Sequence, residues 1–306
     1  METGDVPAID LDKLATEARN PRTMHLDEMS PRELVEVMNS EDTKVAGAVH
    51  EVLDDVAVAV EWARDALQAG GRIVYFGAGT SGRLGVLDAV ECPPTFGVSP
   101  DVVVGLIAGG EKAFVRAVEG AEDSLTLCAE ELDALHLEPR DLAVGIAASG
   151  RTPYVIGGLK HAHELGCRTV AIACNKGSDI GKVADLAIEP CCGPEVLTGS
   201  TRLKAGTAQK MVLNMISTGA MVGCGKAYEN LMVDVQQSNE KLEVRAQNIV
   251  MTATGCERAE AGRALAEAKG SAKCAIVAIL ADVTADEAKC RLDATGGKVR
   301  QALKGS

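Results

Sequence analysis

The sequence predicts an α/β protein built on a parallel sheet with both faces covered by helices. Two observations carry this. Short apolar runs alternate with helical patterns along the middle of the chain, the order expected of a parallel sheet. The 306 residues are 46% hydrophobic but only 2% aromatic, so the core is Ala, Val, Leu and Ile, as in tightly packed α/β layers. A net charge of −13 speaks against a general nucleic-acid binder, since neutralising phosphates needs basic surface, and so few aromatics leave no base-stacking platform.

Taken in order, residues 1–44 read as an N-terminal arm. Ser30 is an N-cap, Pro31 the first helical residue and Glu33 the capping-box acid of a small helix to Met38. Across 45–69, Val49, Val52, Leu53, Val56, Val60, Ala63 and Leu67 trace one helical face that ends at Gly70-Gly71. Strands are expected near 72–77, 102–107, 142–147, 168–174 and 186–189, and helices near 81–90, 111–119, 123–135, 153–165 and 206–224. The first of these helices should stop at Glu91-Cys92-Pro93-Pro94, because proline disfavours helix in its predecessor and cannot continue one. From 246 to 306, an Ala/Glu/Arg helix near 259–269, a second near 272–280 and a third near 286–292 read as a small C-terminal helical domain. The division is therefore 1–44, 45–245 and 246–306.

Ligands of open parallel sheets bind beyond the strand C-terminal ends, and polar residues collect there. After the first strand, Gly77-Ala78-Gly79 turns the chain tightly, and Thr80 and Ser81 carry hydroxyls into the next helix. The third strand ends in Ser149-Gly150-Arg151-Thr152-Pro153, where Thr152 can cap and Pro153 can begin a helix. Ser200, Thr201 and Lys204 enter a long helix later. Helix N-termini with free N–H groups and hydroxyls are anion sites, so Gly79, Thr80, Ser81, Ser149, Gly150, Arg151, Thr152, Ser200, Thr201 and Lys204 are the candidate phosphate-binding residues. Arg83, Arg151 and Lys204 are the weaker candidates, since a cation near a helix start can serve packing or an ion pair instead.

Four acids, Asp88, Glu91, Glu111 and Glu122, fall near the presumed ligand side, and Asp88 and Glu91, three apart, should share a helix face. Paired carboxylates suit proton transfer when their environments separate their pKa values. No Ser-His-Asp order and no metal set are read, so no metal or other cofactor is expected. The ten cysteines include no C-x-x-C and mostly sit in apolar runs as small hydrophobes. The 1–10 stretch shows no secretory signal and no apolar run spans a bilayer, which suggests a reducing cytoplasm and no membrane partner. His161-x-His163 reads as solvated surface.

The stretches GAGTSGRLGVLDAVECPPTFG, IAGGEKAFVRAVEGAEDS, GIAASGRTPY, TGSTRLKAGTAQK and NLMVDVQQSNEKL together resemble the N-acetylmuramic acid 6-phosphate etherase family. That family belongs to the sugar isomerase (SIS) superfamily and is related to the glucokinase regulatory protein. The likeness runs from about Ala46 to the C-terminus, while Met1 to Arg19 matches least and Val90 stands where a smaller polar residue is expected. The resemblance implies a doubly wound five-stranded SIS domain, a homodimer and a phosphorylated amino-sugar substrate. It also implies cleavage of the D-lactyl ether, with Glu91 as the acid that protonates departing lactate and Glu122 as the base at C2. Aldose–ketose isomerisation and a non-catalytic sugar-phosphate sensor remain the alternatives.

Overall fold

A computed structural model describes residues 15–116, 118–235 and 240–304. The first part of the expected arm and the QQSN of NLMVDVQQSNEKL lie outside the described residues. The order is α1 (Pro31–Asp42), α2 (Lys44–His50), α3 (Leu53–Gln68), β1 (Ile73–Gly77), α4 (Gly79–Phe96), β2 (Val103–Ile107), α5 (Glu111–Val115), α6 (Leu127–Ala134), β3 (Leu142–Ile146), α7 (Pro153–Glu164), β4 (Arg168–Ile172), α8 (Asp179–Val183), β5 (Leu186–Ile188) and α9 (Lys204–Gly223). A two-stranded hairpin, β6 (Ala227–Tyr228) and β7 (Leu231–Met232), leads to α10 (Glu240–Thr254), α11 (Arg258–Glu267), α12 (Ala272–Ala281), α13 (Ala285–Ala294) and α14 (Val299–Leu303). All five expected strands are present to within a residue or two.

The five strands pair in parallel in the order β2-β1-β3-β4-β5. Side chains alternate across a strand, so Ile73 and Tyr75 join one core with Ala59 of α3, Cys92 of α4 and Val212 of α9. Val74 and Phe76 join the other with Leu132 of α6, Tyr154 of α7 and Ile180 of α8. This is a doubly wound α/β fold. The strand order reverses at β1, and the crevice beyond β1 and β3 is the switch point where such sheets hold ligands.

Helix α4 does not stop at the prolines. It runs through Pro93 and Pro94 to Phe96, then ends at Gly97 in the left-handed region with its N–H on the Pro93 carbonyl at 2.9 Å. Burial of Cys92 and Phe96 in the core outweighs the two backbone bonds that the prolines forgo in the last turn. The expected 111–119 helix shrinks to α5. Arg83 takes the carbonyls of Ala113 and Phe114 at 2.8 Å each, and Arg116 is extended. The next helix begins only at Leu127, whose N–H is held by the Ser124 hydroxyl at 3.1 Å.

The arm residues are packed in place. Thr23 donates to the Val196 carbonyl at 2.8 Å, and Asn20 to the Pro194 carbonyl at 3.2 Å. A third core joins Tyr228, Val233 and Val235 to α10–α14, and α10 runs unbroken through residues 245 and 246.

Candidate active site

The first turn of the crevice is set by close backbone approach. A Cβ on Gly82 would stand 2.5 Å from the Gly77 carbonyl oxygen, so α4 can fold back on β1 only with glycine there. Gly79 adopts φ +54, a conformation glycine enters without steric cost. The N-cap is Ala78, which offers no side-chain acceptor. The N–H groups of Gly79, Thr80 and Ser81 therefore begin the helix outside its own ladder, at the positive end of an 18-residue dipole. Ser81 is buried, and its hydroxyl donates to Gln209 Oε1 at 2.9 Å.

The second turn follows β3. Gly150 has φ +75 and a Cβ there would stand 2.3 Å from Ser178 Cβ. Asn175, itself buried, donates to the carbonyls of Ala148 and Ser149 at 3.3 Å each and to Thr16 Oγ1 at 3.0 Å. That amide fixes the turn and ties the arm to it. Thr152 is the N-cap of α7 but makes no side-chain cap bond, and Pro153 is the first helical residue as expected. Arg151 is 3.8 Å from Asp179.

Glu122 is carried to this turn by its own backbone. Its carbonyl accepts the Tyr154 N–H at 3.0 Å, which seats it over the first turn of α7. The segment lies flush on that helix: a Cβ on Gly157 would stand 1.9 Å from the Leu125 carbonyl oxygen. The Glu122 side chain is exposed.

Comparison with known proteins gives the chain its relatives. The glucokinase regulatory protein N-terminal SIS domain matches residues 55–163, and the SIS domain matches 129–218. N-acetylmuramic acid 6-phosphate etherases are similar over nearly the whole chain. That of an Exiguobacterium species is 60% identical over 293 residues, 96% of this chain and 100% of the relative. That of an Enterobacter species is 59% identical over 97% of this chain and 100% of its own length. The Mycolicibacterium smegmatis protein is 57% identical over 96% and 99%. The chain belongs to the N-acetylmuramic acid 6-phosphate etherase family.

The structure divides the etherase-motif residues into those that border the crevice and those that do not. Gly79, Thr80, Ser81, Ser149, Gly150, Arg151, Thr152 and Glu122 lie on its two turns. Thr201 borders the first turn, since the space beside Gly206 is shared by the Thr201 carbonyl and the Thr80 methyl at 3.5 Å each, and Ser200 is in the same loop. Lys204 is not available to an anion. Its ammonium is fully buried on Glu41 Oε2 at 2.7 Å. Burial pushes Glu41 upward, but hydrogen bonds from Lys204, Lys44 and Asn20 prevail and hold it down at about 2.

The N–H groups of Lys204 and Ala205 are likewise taken, by the buried Glu195 carboxylate at 3.0 and 2.9 Å. Burial pushes Glu195 up, against those two bonds. Arg83 is spent on α5.

Asp88 and Glu91 do not share a side. Asp88 is buried against α9, where Oδ1 accepts from Asn214 at 2.6 Å and Ser217 at 3.1 Å. Desolvation raises its pKa. Glu91 is exposed, and ten residues of α4 separate it from Ser81, roughly 15 Å along the axis. Within one chain it stands away from the crevice mouth. Glu111 opens α5 and is exposed.

Gln209, Asn175 and Glu195 were not singled out from sequence. For Gln209 the signal was present, since it interrupts the apolar stripe Ala205, Ala208, Val212 of α9. For Asn175 and Glu195, lone polar residues in loops, no local pattern existed.

Proposed function

We propose that this chain cleaves the D-lactyl ether of N-acetylmuramic acid 6-phosphate to D-lactate and N-acetylglucosamine 6-phosphate, a step in cell-wall recycling in the cytoplasm. Full-length likeness to the etherases supports the substrate. The observation that carries the site is Glu122 held over the Ser149–Thr152 turn by the Tyr154 N–H, across the switch point from the uncapped start of α4.

The phosphate sits between the two turns, on the N–H groups of Gly79, Thr80 and Ser81 and the hydroxyls of Ser81, Ser149 and Thr152. Anchoring one end of the open-chain sugar orients its reacting carbons. The C1 aldehyde acidifies the C2 proton, and lactate on C3 is a β-leaving group. Glu122 takes the C2 proton while Glu91 gives a proton to the ether oxygen. The C3–O bond breaks, lactate leaves, and a C2–C3 double bond remains. Water then adds at C3, losing its proton to Glu91, and Glu122 returns a proton to C2. Each carboxyl supplies roughly 10²–10⁴-fold.

Glu91 reaches this site from a second copy. On α4 it lies among Leu87, Val90 and Pro94, a helix stripe left exposed, with Leu87 at 45% and Val90 at 58%. A cavity of ≈510 Å³, lined by Val86 of the same helix with Leu106, Ile107, Phe114, Val115 and the acids Glu111 and Glu131, opens on the β2 edge. Such an exposed apolar face suits burial against a second copy, and the shared site requires that contact to set each Glu91 at the partner's crevice. Among the described residues no helix is long and apolar enough to cross a membrane.

The test separates the steps. Glu122→Gln should suppress both lactate release and solvent exchange of the C2 hydrogen. Glu91→Gln should abolish lactate release while exchange survives. Wild-type rates of lactate release by both variants would remove the assignment.

A further inference from the structure

Gln209 lies in the second turn of α9, fully buried where that helix packs on the start of α4. Its amide is half satisfied. Oε1 accepts the Ser81 hydroxyl at 2.9 Å, while Nε2 is buried with no partner among the described residues. A buried donor without an acceptor is unfavourable and uncommon, and this one sits within one side-chain amide of the hydroxyl assigned to phosphate.

The orientation has a consequence for Ser81. A hydroxyl has one proton to give, and here it is given to Gln209, so Ser81 cannot donate to an anion as it stands. The two ends of a carboxamide are nearly the same size. A half-turn about its last bond would place Nε2–H on Ser81 Oγ and release the hydroxyl proton toward the crevice. The orphan would then be a carbonyl oxygen, which proteins leave unpaired more often than an N–H.

We propose that Gln209 is a positioning residue for the phosphosugar: its amide turns over on binding and donates to Ser81 while Ser81 donates to the phosphate. This rests on the placement of phosphate at the β1–α4 turn. The resulting chain runs one way, from amide N–H to hydroxyl to phosphate oxygen, and each bond polarises the next. Holding α4 to α9 does not require Gln209, because Asp88 already bonds Asn214 and Ser217 farther along the same interface.

The experiment measures KM and kcat of the full chain for N-acetylmuramic acid 6-phosphate in Ser81→Ala, Gln209→Met, the double variant and Gln209→Glu, with melting curves for each. Ser81→Ala is expected to raise KM roughly tenfold or more, the loss of one charge-assisted hydrogen bond. Gln209→Met should raise KM several-fold with kcat nearly unchanged, and the double variant should be no worse than Ser81→Ala alone. Gln209→Glu, an acceptor at both ends when ionised, should show a high KM that falls as acid conditions protonate it and restore a donor.

An unchanged KM in Gln209→Met, full additivity in the double variant, or a KM in Gln209→Glu that is flat with pH would overturn the relay while leaving the phosphate in place. If Gln209→Glu does not fold, the Ser81–Gln209 cycle decides alone. If Ser81→Ala leaves KM unchanged, the phosphate lies elsewhere and the relay falls with it.

Discussion

The N-termini of α4 and α9 lie side by side along the same crevice, with Gly206 resting on Thr80, yet one carries no side-chain cap and the other carries a carboxylate. Both are long helices entered through glycine, serine and threonine. At α4 the cap position is Ala78, so the first N–H groups have only an incoming anion to bind. At α9 the Glu195 carboxylate already occupies the equivalent place, and Lys204, the cation that the motif offers, is committed to Glu41. An anion site thus depends less on the hydroxyls in the turn than on whether the chain has supplied its own anion.

Breaking the closed end should have the largest effect, and it should fall on stability. Glu41→Gln leaves the Lys204 ammonium buried without its partner, which should cost roughly 3–5 kcal/mol, read as a lowered denaturant midpoint. The Michaelis constant of the remaining folded enzyme should stay near wild type. A raised KM with unchanged stability would instead return Lys204 to the phosphate. The pH dependence has a definite sign. Glu41 titrates at about 2 in the folded chain against an ordinary 4.5, so the unfolded chain binds this proton more readily. The stability the pair contributes is complete above pH 4.5 and is lost as the pH falls to about 2.

The open end should respond in the opposite way. Ser81→Ala should weaken substrate binding by roughly 1.5–3 kcal/mol with a loss of stability below that of Glu41→Gln, since it strands only the neutral Gln209 amide, whereas Ser200→Ala, beside the capped helix, should change KM far less. Equal effects at the two positions would erase the distinction between the helix starts.

The smallest effect is expected at Asp88, between the two helices. Burial holds its pKa up, against Asn214, Ser217 and the nearby Tyr75 hydroxyl, and among the described residues neither Oδ2 nor that hydroxyl has a partner in good hydrogen-bond geometry. Asp88→Asn keeps an acceptor for Asn214 and Ser217 and removes a desolvated charge, so near neutral pH stability should change by less than about 1 kcal/mol. Asp88→Ala should cost more, about 1–3 kcal/mol, because it strands both donors. Chemical denaturation of the two variants in parallel makes the comparison.

The strands were legible because each is a short apolar run closed by glycine or polar residues, and both covered faces follow from their continuous apolarity. The two turns at the switch point were legible for the same reason. What failed was local rules overridden by packing. Pro93-Pro94 reads as a helix end, but Cys92 and Phe96 have core to fill and Gly97 closes the last turn. Residues 111–119 read as helix, but Arg83, far upstream, ends α5 early. Lys204 looked like a phosphate ligand because its partner Glu41 lies 163 residues away, and no spacing rule connects them. Glu91 looked close to the first turn because separation along the sequence is short, whereas a straight helix converts it into distance.

That distance gives the most direct test of the shared site. Glu91→Gln and Glu122→Gln, each inactive in lactate release by itself, are co-expressed with different tags, and mixed dimers are purified through both. If each crevice takes Glu91 from the other copy, one site of every mixed dimer has both carboxylates, and lactate release should return to about half the wild-type rate. Mixed dimers as inactive as their parents would contradict the shared site and require both glutamates to act within a single chain.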